Sequence, residues 1–228
     1  MRLFNLLLLI TVVFTLLSCP ITRYEKEEID DPPPFTEASL LFESEELANG
    51  RTLTIFRTND LQYWTHEGMT LWSVFGHGED PFTSRSVTVA KSSGSTLGGY
   101  GIVFCHGIHE IEIEDEENIF VPAMFVVMIN NDGYFITGKA VGGVFNDFGW
   151  WRTSNLLRKG DGTENEITVT YDETEEEFSL YFNGQFQESF KDDGMPVLTG
   201  GRNGYIAVIT PFDNFPAVGI DVYFEEEK

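Results

Sequence analysis

The sequence predicts an all-β domain built as a two-sheet antiparallel β-sandwich, and three observations carry that prediction. Apolar and polar residues alternate at a period of two in several separate stretches, one run is apolar on both faces, and glycine, asparagine and aspartate fall where turns are needed. Helical spacing is not sustained anywhere, apart from a short piece near Glu43 to Leu47 that could form a helical turn.

The elements follow in order. Arg85, Val87, Val89 and Lys91 alternate with Ser86, Thr88 and Ala90, and Ile167, Val169 and Tyr171 alternate with Thr168 and Thr170. Successive side chains of a strand point to opposite faces, so each pattern describes a half-buried strand. The run Phe125, Val126, Val127, Met128, Ile129 has no polar face, which places it centrally in a sheet covered on both sides. It leads through Asn130, Asn131, Asp132 and Gly133 into Tyr134, Phe135 and Ile136, a hairpin. A second hairpin joins Phe178 to Phe182 with Gln185 to Phe190 through Asn183-Gly184, residues that accept the positive φ of a tight turn. Tyr205 to Ile209 and Val218 to Phe224 supply the last strands. Many short strands joined by such turns make a sandwich.

The string Gly99 to Phe104, the Asp132-Gly133-Tyr134 hairpin, the Asn165 to Tyr171 strand, the Tyr181-Phe182-Asn183-Gly184 turn and the Gly204 to Val208 strand occur in one order. Over Arg85 to Phe224 that order resembles the concanavalin A-like lectin/glucanase superfamily, especially its laminin G-like and 3-keto-disaccharide hydrolase-like branches. The resemblance implies a jelly roll with a concave face, in a group whose members often bind saccharides and sometimes calcium. Its signals mark strands and turns, so they speak to fold and not to activity.

The amino-terminal residues carry a different message. Met1 to Asn5 include one basic residue, Leu6 to Leu17 are almost all apolar, and Ser18 and Cys19 stand where the apolar run stops. This is the pattern of a secretory signal, and its run is shorter than the roughly 20 residues of a membrane span. Leu16-Leu17-Ser18-Cys19 resembles the lipobox of bacterial lipoproteins, with Leu17 where Ala, Ser, Thr or Val is commoner. The resemblance implies cleavage after Ser18, acylation of Cys19 and a place in the bacterial cell envelope. Residues 1–18 are then the signal peptide, 19–37 an acidic, proline-rich tether too poor in apolar surface to order itself, and 38–228 the sandwich domain. With Cys19 acylated, Cys105 has no disulfide partner, and stability must come from a packed core.

A formal net charge of -23 excludes nucleic acid as a natural partner and leaves the acyl chains, not basic residues, to hold the membrane. The acidic runs Glu25 to Asp31, Glu110 to Glu117 and Asp172 to Glu177 read as solvated surface. Within the second, Glu110, Glu112 and Glu114 would face one side of a strand about 7 Å apart. The string resembles the Glu-Ile-Asp-Ile-Glu strand of laminarinase-like β-glucanases, where paired carboxylates about 5 to 5.5 Å apart serve a retaining hydrolase. Glu112 replaces the aspartate, however, and Asp115, Glu116 and Glu117 follow at once, more like an exposed edge than a tuned site.

Cys105, His106 and His109, with His66 and His77 elsewhere, lack the paired spacing of a zinc site, and a buried thiol with surface histidines is expected. Asn130, Asp132 and Asp161 could offer oxygen to calcium but equally make Asx turns, so no cofactor or metal ligand is assigned. Aromatic residues are 14% of the chain, and adjacent Trp150 and Trp151 must face opposite ways on a strand. One of them exposed beside Arg152 would make a stacking platform for a sugar ring or a protein ligand. The expectation is a non-enzymatic, membrane-anchored binding module for glycan or protein. A glycan-cleaving enzyme using Glu110, Glu112 or Glu114 is the alternative, and a structural or assembly lipoprotein is the third reading.

The anchor is directly testable: Cys19→Ser should abolish incorporation of radiolabelled palmitate and move the protein to the aqueous phase on detergent partitioning. A variant still labelled and still in the detergent phase would show that Cys19 is not the anchor.

Overall fold

The alternating stretches are strands in the computed structural model, which describes residues 35–63, 68–75, 81–111, 119–210 and 215–227. The signal and Cys19, together with Glu112, Glu114, His66 and His77, lie outside the described residues. Among those described are β1 (Phe35–Glu37), β2 (Phe42–Glu46), β3 (Arg51–Thr58), β4 (Met69–Phe75), β5 (Ser84–Ser93), β6 (Tyr100–Ile111), β7 (Ile119–Ile129) and β8 (Tyr134–Val141). They continue with β9 (Val144–Asp147), β10 (Arg152–Thr153), β11 (Asn165–Asp172), β12 (Glu177–Phe182), β13 (Gln185–Phe190), β14 (Arg202–Ile209) and β15 (Ile220–Glu227). Two single 3-10 turns, Ser39–Leu41 and Leu61–Tyr63, are the only helical pieces in this set.

The strands form two sheets that make an all-β sandwich. The first runs β1-β4-β14-β6-β7-β8-β10, with β9 also on β8, and the second runs β13-β12-β11-β5-β15-β3-β2. Pairing is antiparallel except at β1, which lies parallel to β4. Consecutive β4, β5 and β6 alternate between the sheets, so the chain crosses the sandwich instead of stacking hairpins. As its sequence requires, the Phe125 to Ile129 run sits inside the first sheet between β6 and β8 and is buried on both faces.

Two expectations need correction. Glu43 to Glu46 form the strand β2 and not a helical turn, because β3 offers them a complete ladder and a hydroxyl pair, Ser44 to Thr54 at 2.8 Å. The sheet also begins earlier than the 19–37 tether allows: Phe35–Glu37 give their backbone to the edge of β4, a pairing that needs no apolar periodicity. The Asn183-Gly184 turn has φ of 51° and 75°, the double left-handed geometry that a two-residue hairpin demands.

Between the sheets, Phe104, Phe125, Phe178 and Phe190 stack in a chain, with centroids 5.3 Å apart for Phe104 and Phe125, 4.9 Å for Phe125 and Phe178, and 5.3 Å for Phe178 and Phe190. Lys139 of β8 enters this layer, its ammonium 5.7 Å from the Phe125 ring centre. It donates to both Asp192 oxygens at 2.8 and 2.9 Å, to the Gly194 carbonyl at 3.1 Å and to the Pro196 carbonyl. Asp192 in turn accepts from the Leu198 N–H at 2.9 Å, so one ion pair fastens the loop after β13 to the opposite sheet. Both side chains are buried. Removing one partner from such a pair leaves a buried charge, which costs about 3–5 kcal/mol, whereas an apolar replacement of both can be nearly neutral. Asp192→Ala should therefore lower the unfolding free energy in urea by that amount, and Lys139→Met with Asp192→Leu should recover most of it. Equal losses in the single and double variants would mean that packing, not charge pairing, sets the cost.

Candidate functional site

The first sheet has a second apolar face, away from the inter-sheet core. Trp72 of β4, Val103 of β6, Met124, Val126 and Met128 of β7, Ile136 and Ala140 of β8 and Ile206 of β14 form a cluster of their own. Alternation puts them there: Leu71, Ile102, Phe125, Val127 and Tyr205, one residue away along their strands, belong to the core.

Polar groups enter this face through an irregularity in β6. Cys105 takes φ of 54°, and the register of β6 on β7 shifts between Phe104 and Gly107. Phe104 and Cys105 consequently both belong to the inter-sheet core, and His106 emerges on the other side, opposite Arg202 of β14. There its ring lies 5.1 Å from that of Trp72, centre to centre. The Arg202 guanidinium, which can only donate, bonds His106 Nδ1 at 3.0 Å, so the neutral ring carries its hydrogen on Nε2. His106 is 2% and Trp72 7% exposed, and neither the His106 Nε2–H nor the Trp72 Nε1–H has an acceptor among the described residues. Burial, reinforced by Arg202 and His109, lowers the His106 pKa to about 4. His106 is thus not the surface histidine its sequence context suggests, because the bulge at Cys105 inverts the alternation.

The other candidates separate. Cys105 is a buried free thiol, and burial raises its pKa well above the ordinary thiol range, which leaves it protonated and unreactive. His109 stands opposite Val121, on the side of the core residue Ala123, whereas His106 lies on the outer face, and no group of three or more metal-ligating side chains forms among the described residues. Trp150 and Trp151 lie in the bend between β9 and β10 and not on a strand, and they still divide: Trp150 is 76% exposed, while Trp151 packs on the apolar face. A Cβ at Gly99 would lie 2.9 Å from the Trp151 ring, so the close seat of that ring depends on the glycine.

The Arg152 guanidinium is engaged on the inward side of β8. Its guanidinium lies 4.6 Å from the Phe135 ring centre and grips Glu188 of the second sheet through two bonds of 2.6 and 2.8 Å. The basic group on the apolar face is Arg202 instead. Glu110, the last residue but one of β6, stands opposite Phe120, in register with the outward residues, and Phe120 beside it is 68% exposed. Sequence reasoning missed Trp72 and Arg202. Their signal was the alternation of Leu71, Ser73 and Phe75 with Trp72 and Val74, which singles out Trp72 once the face has been identified.

No family model matches the chain, and no curated protein matches it in sequence. Solved structures do align with it. One is the carbohydrate binding module CBM66 from Bacillus subtilis, with 9% identity and a TM-score of 0.44 over 85% of this chain and 100% of that one. Another is a glycoside hydrolase family 16 endo-glucanase from Bacteroides ovatus, with 7% identity and a TM-score of 0.48 over 83% and 86%. A third is the Bacillus licheniformis beta-glucanase, with 7% identity and a TM-score of 0.45 over 87% of each chain.

The neutral, buried state of His106 makes a pH prediction. On unfolding, its ring regains an ordinary pKa of 6.5, whereas the folded ring stays neutral down to about 4. Between those values the unfolded chain binds the extra proton, so His106 lowers stability progressively as pH falls through that window, by roughly 2–4 kcal/mol in total. His106→Gln removes the effect. Urea unfolding of parent and variant at pH 7 and pH 4 should show the variant gaining relative to the parent by that amount, and a pH-independent difference would disprove the neutral buried ring.

Proposed function

We propose that the chain is a lipid-anchored protein of the bacterial cell envelope whose sandwich is a binding module, with a glycan as ligand on the outer face of the first sheet. The observation that carries this reading is the pair of buried N–H donors, Trp72 Nε1 and His106 Nε2, set in an apolar floor with no acceptor among the described residues. A buried donor without a partner costs about 1–3 kcal/mol, a cost that a ligand oxygen removes once the side chains over the donor part to admit it. Saccharides present hydroxyl oxygens beside apolar C–H faces, and so match donors embedded among Trp and aliphatic side chains. Arg202 holds the His106 tautomer that donates, Trp151 packs on this face, and its chain neighbour Trp150 is exposed. The anchor at Cys19 would present this face at the membrane surface through the acidic, proline-rich segment.

Titration of the protein with soluble oligosaccharides should change tryptophan emission. Trp72→Phe, which keeps a ring and loses the N–H, should weaken binding by about 1–2 kcal/mol. Trp150→Ala should weaken it by roughly 1–3 kcal/mol through lost contact area. Glu110→Gln should leave affinity nearly unchanged. Hydrolysis of the oligosaccharide that disappears in Glu110→Gln would replace this reading with an enzymatic one, and a full panel without response would point to a protein ligand.

A further inference from the structure

The inter-sheet layer changes character at one end. Over most of its area the inward positions hold Val, Leu, Ile and Phe, but at the edge where β2, β3 and β15 face β4 and β14 they hold Ser44, Thr52, Thr54, Ser73, Asn203 and Glu226. These side chains are too small or too polar to fill the space, and a cavity of about 530 Å³ remains between the sheets. That is the size of a small-molecule site, for which roughly 300–1,000 Å³ is usual.

Arg85 of β5 lines this cavity and is 8% exposed. Its guanidinium lies between two rings, 5.1 Å from the centre of Phe75 and 4.9 Å from that of Tyr205. Nε donates to Glu226 at 3.0 Å, and Nη1 donates to the carbonyls of Gly204 at 2.7 Å and Val103 at 3.1 Å. The remaining nitrogen, Nη2, is buried with no partner among the described residues, and so is the side-chain oxygen of Asn203, which lines the same cavity. Glu226 is satisfied twice, since its second oxygen accepts from the Tyr205 hydroxyl at 2.7 Å. The site therefore offers one unmet donor group and one unmet acceptor beside aromatic walls.

We propose that this cavity is a second binding site, separate from the outer face of the first sheet, and that it takes a small neutral polyol. A hydroxyl both donates and accepts, so a ligand carrying several can satisfy Arg85 Nη2 and Asn203 Oδ1 together. A carboxylate would answer Arg85 alone and would face Glu226 and Glu227, whereas an ammonium would answer Asn203 alone and would face Arg85. Arg85 and Glu226 cancel as an ion pair and the remaining charge, Glu227, is exposed, so neither ion finds an unpaired opposite charge in the buried part of the cavity. Phe42, Phe75 and Tyr205 provide the apolar surface on which C–H groups of a sugar ring pack.

The test uses the full chain in detergent, with glycerol, glucose, galactose and mannose as neutral probes and glucuronate and glucosamine as charged counterparts of glucose. Ligand-observed NMR and melting temperature should report binding of at least one neutral probe, with the charged pair at least tenfold weaker. Ser73→Phe, which fills the cavity, and Asn203→Leu, which removes the acceptor, should each weaken that binding at least tenfold, while Trp72→Phe on the outer face leaves it unchanged. Asn203→Leu decides the matter if Ser73→Phe does not fold. Failure of every neutral probe, tighter binding of glucuronate, or equal binding in parent and Asn203→Leu would overturn the proposal. Loss in Trp72→Phe alone would assign the bound sugar to the outer face.

Discussion

Strand β6 borders both layers of the molecule, and the left-handed residue at Cys105 decides which side chains each layer receives. A non-glycine residue in that region costs about 1–3 kcal/mol, so its neighbours must hold it. Gly201 does so from just before β14: it has φ of 133°, and a Cβ there would meet the His106 carbonyl at 2.5 Å. The register of β14 on β6 shifts between Arg202 and Gly204, matching the shift of β6 on β7, so three adjacent strands share one irregularity. That shared defect places the thiol in the core and brings His106, Arg202 and Trp72 together on the far face.

The same economy of parity explains the charged interior. A chain with 37 acidic and 14 basic residues keeps Arg85, Lys91 and Lys139 as buried residues, and Glu226 and Asp192 reach in to two of them. Lys91 donates to the Ser95 carbonyl at 2.7 Å, and nearby Asn131 links the Lys91 carbonyl, the Tyr100 hydroxyl and Asp161. Buried cations of this kind tie loops to strands in one geometry, because each alternative arrangement would strand a charge away from water. The negative charge is left to the surface, where it is solvated.

The two proposed sites use one physical device at opposite faces of the first sheet. In each, a basic side chain is held by protein partners so that a donor nearby remains unmet: Arg202 sets the His106 tautomer on the outer face, and Arg85 spends three of its bonds on Glu226, Gly204 and Val103 at the inner one. Aromatic rings border both. Orientation of the donors thus comes from the sheet itself and not from a mobile loop, which favours recognition with little loss of conformational freedom.

Much of the fold was legible in the chain by itself. Period-two alternation located β5 and β11, the two-sided apolar run located the centre of the first sheet, and Asn183-Gly184 located a hairpin, because each is a local preference of backbone and side chain. The reading of Cys19 as an anchor also belongs to sequence alone. Tertiary structure decided the rest. It turned Glu43 to Glu46 into a strand once β3 was available, moved His106 across the sheet through the bulge at Cys105, and drew Arg152 inward to Glu188 while placing Arg202 beside His106. Alternation can say that two residues share a face, but a bulge reverses that rule from its position onward, and which distant strand supplies the partner depends on pairings across more than ninety residues, as between His106 and Arg202.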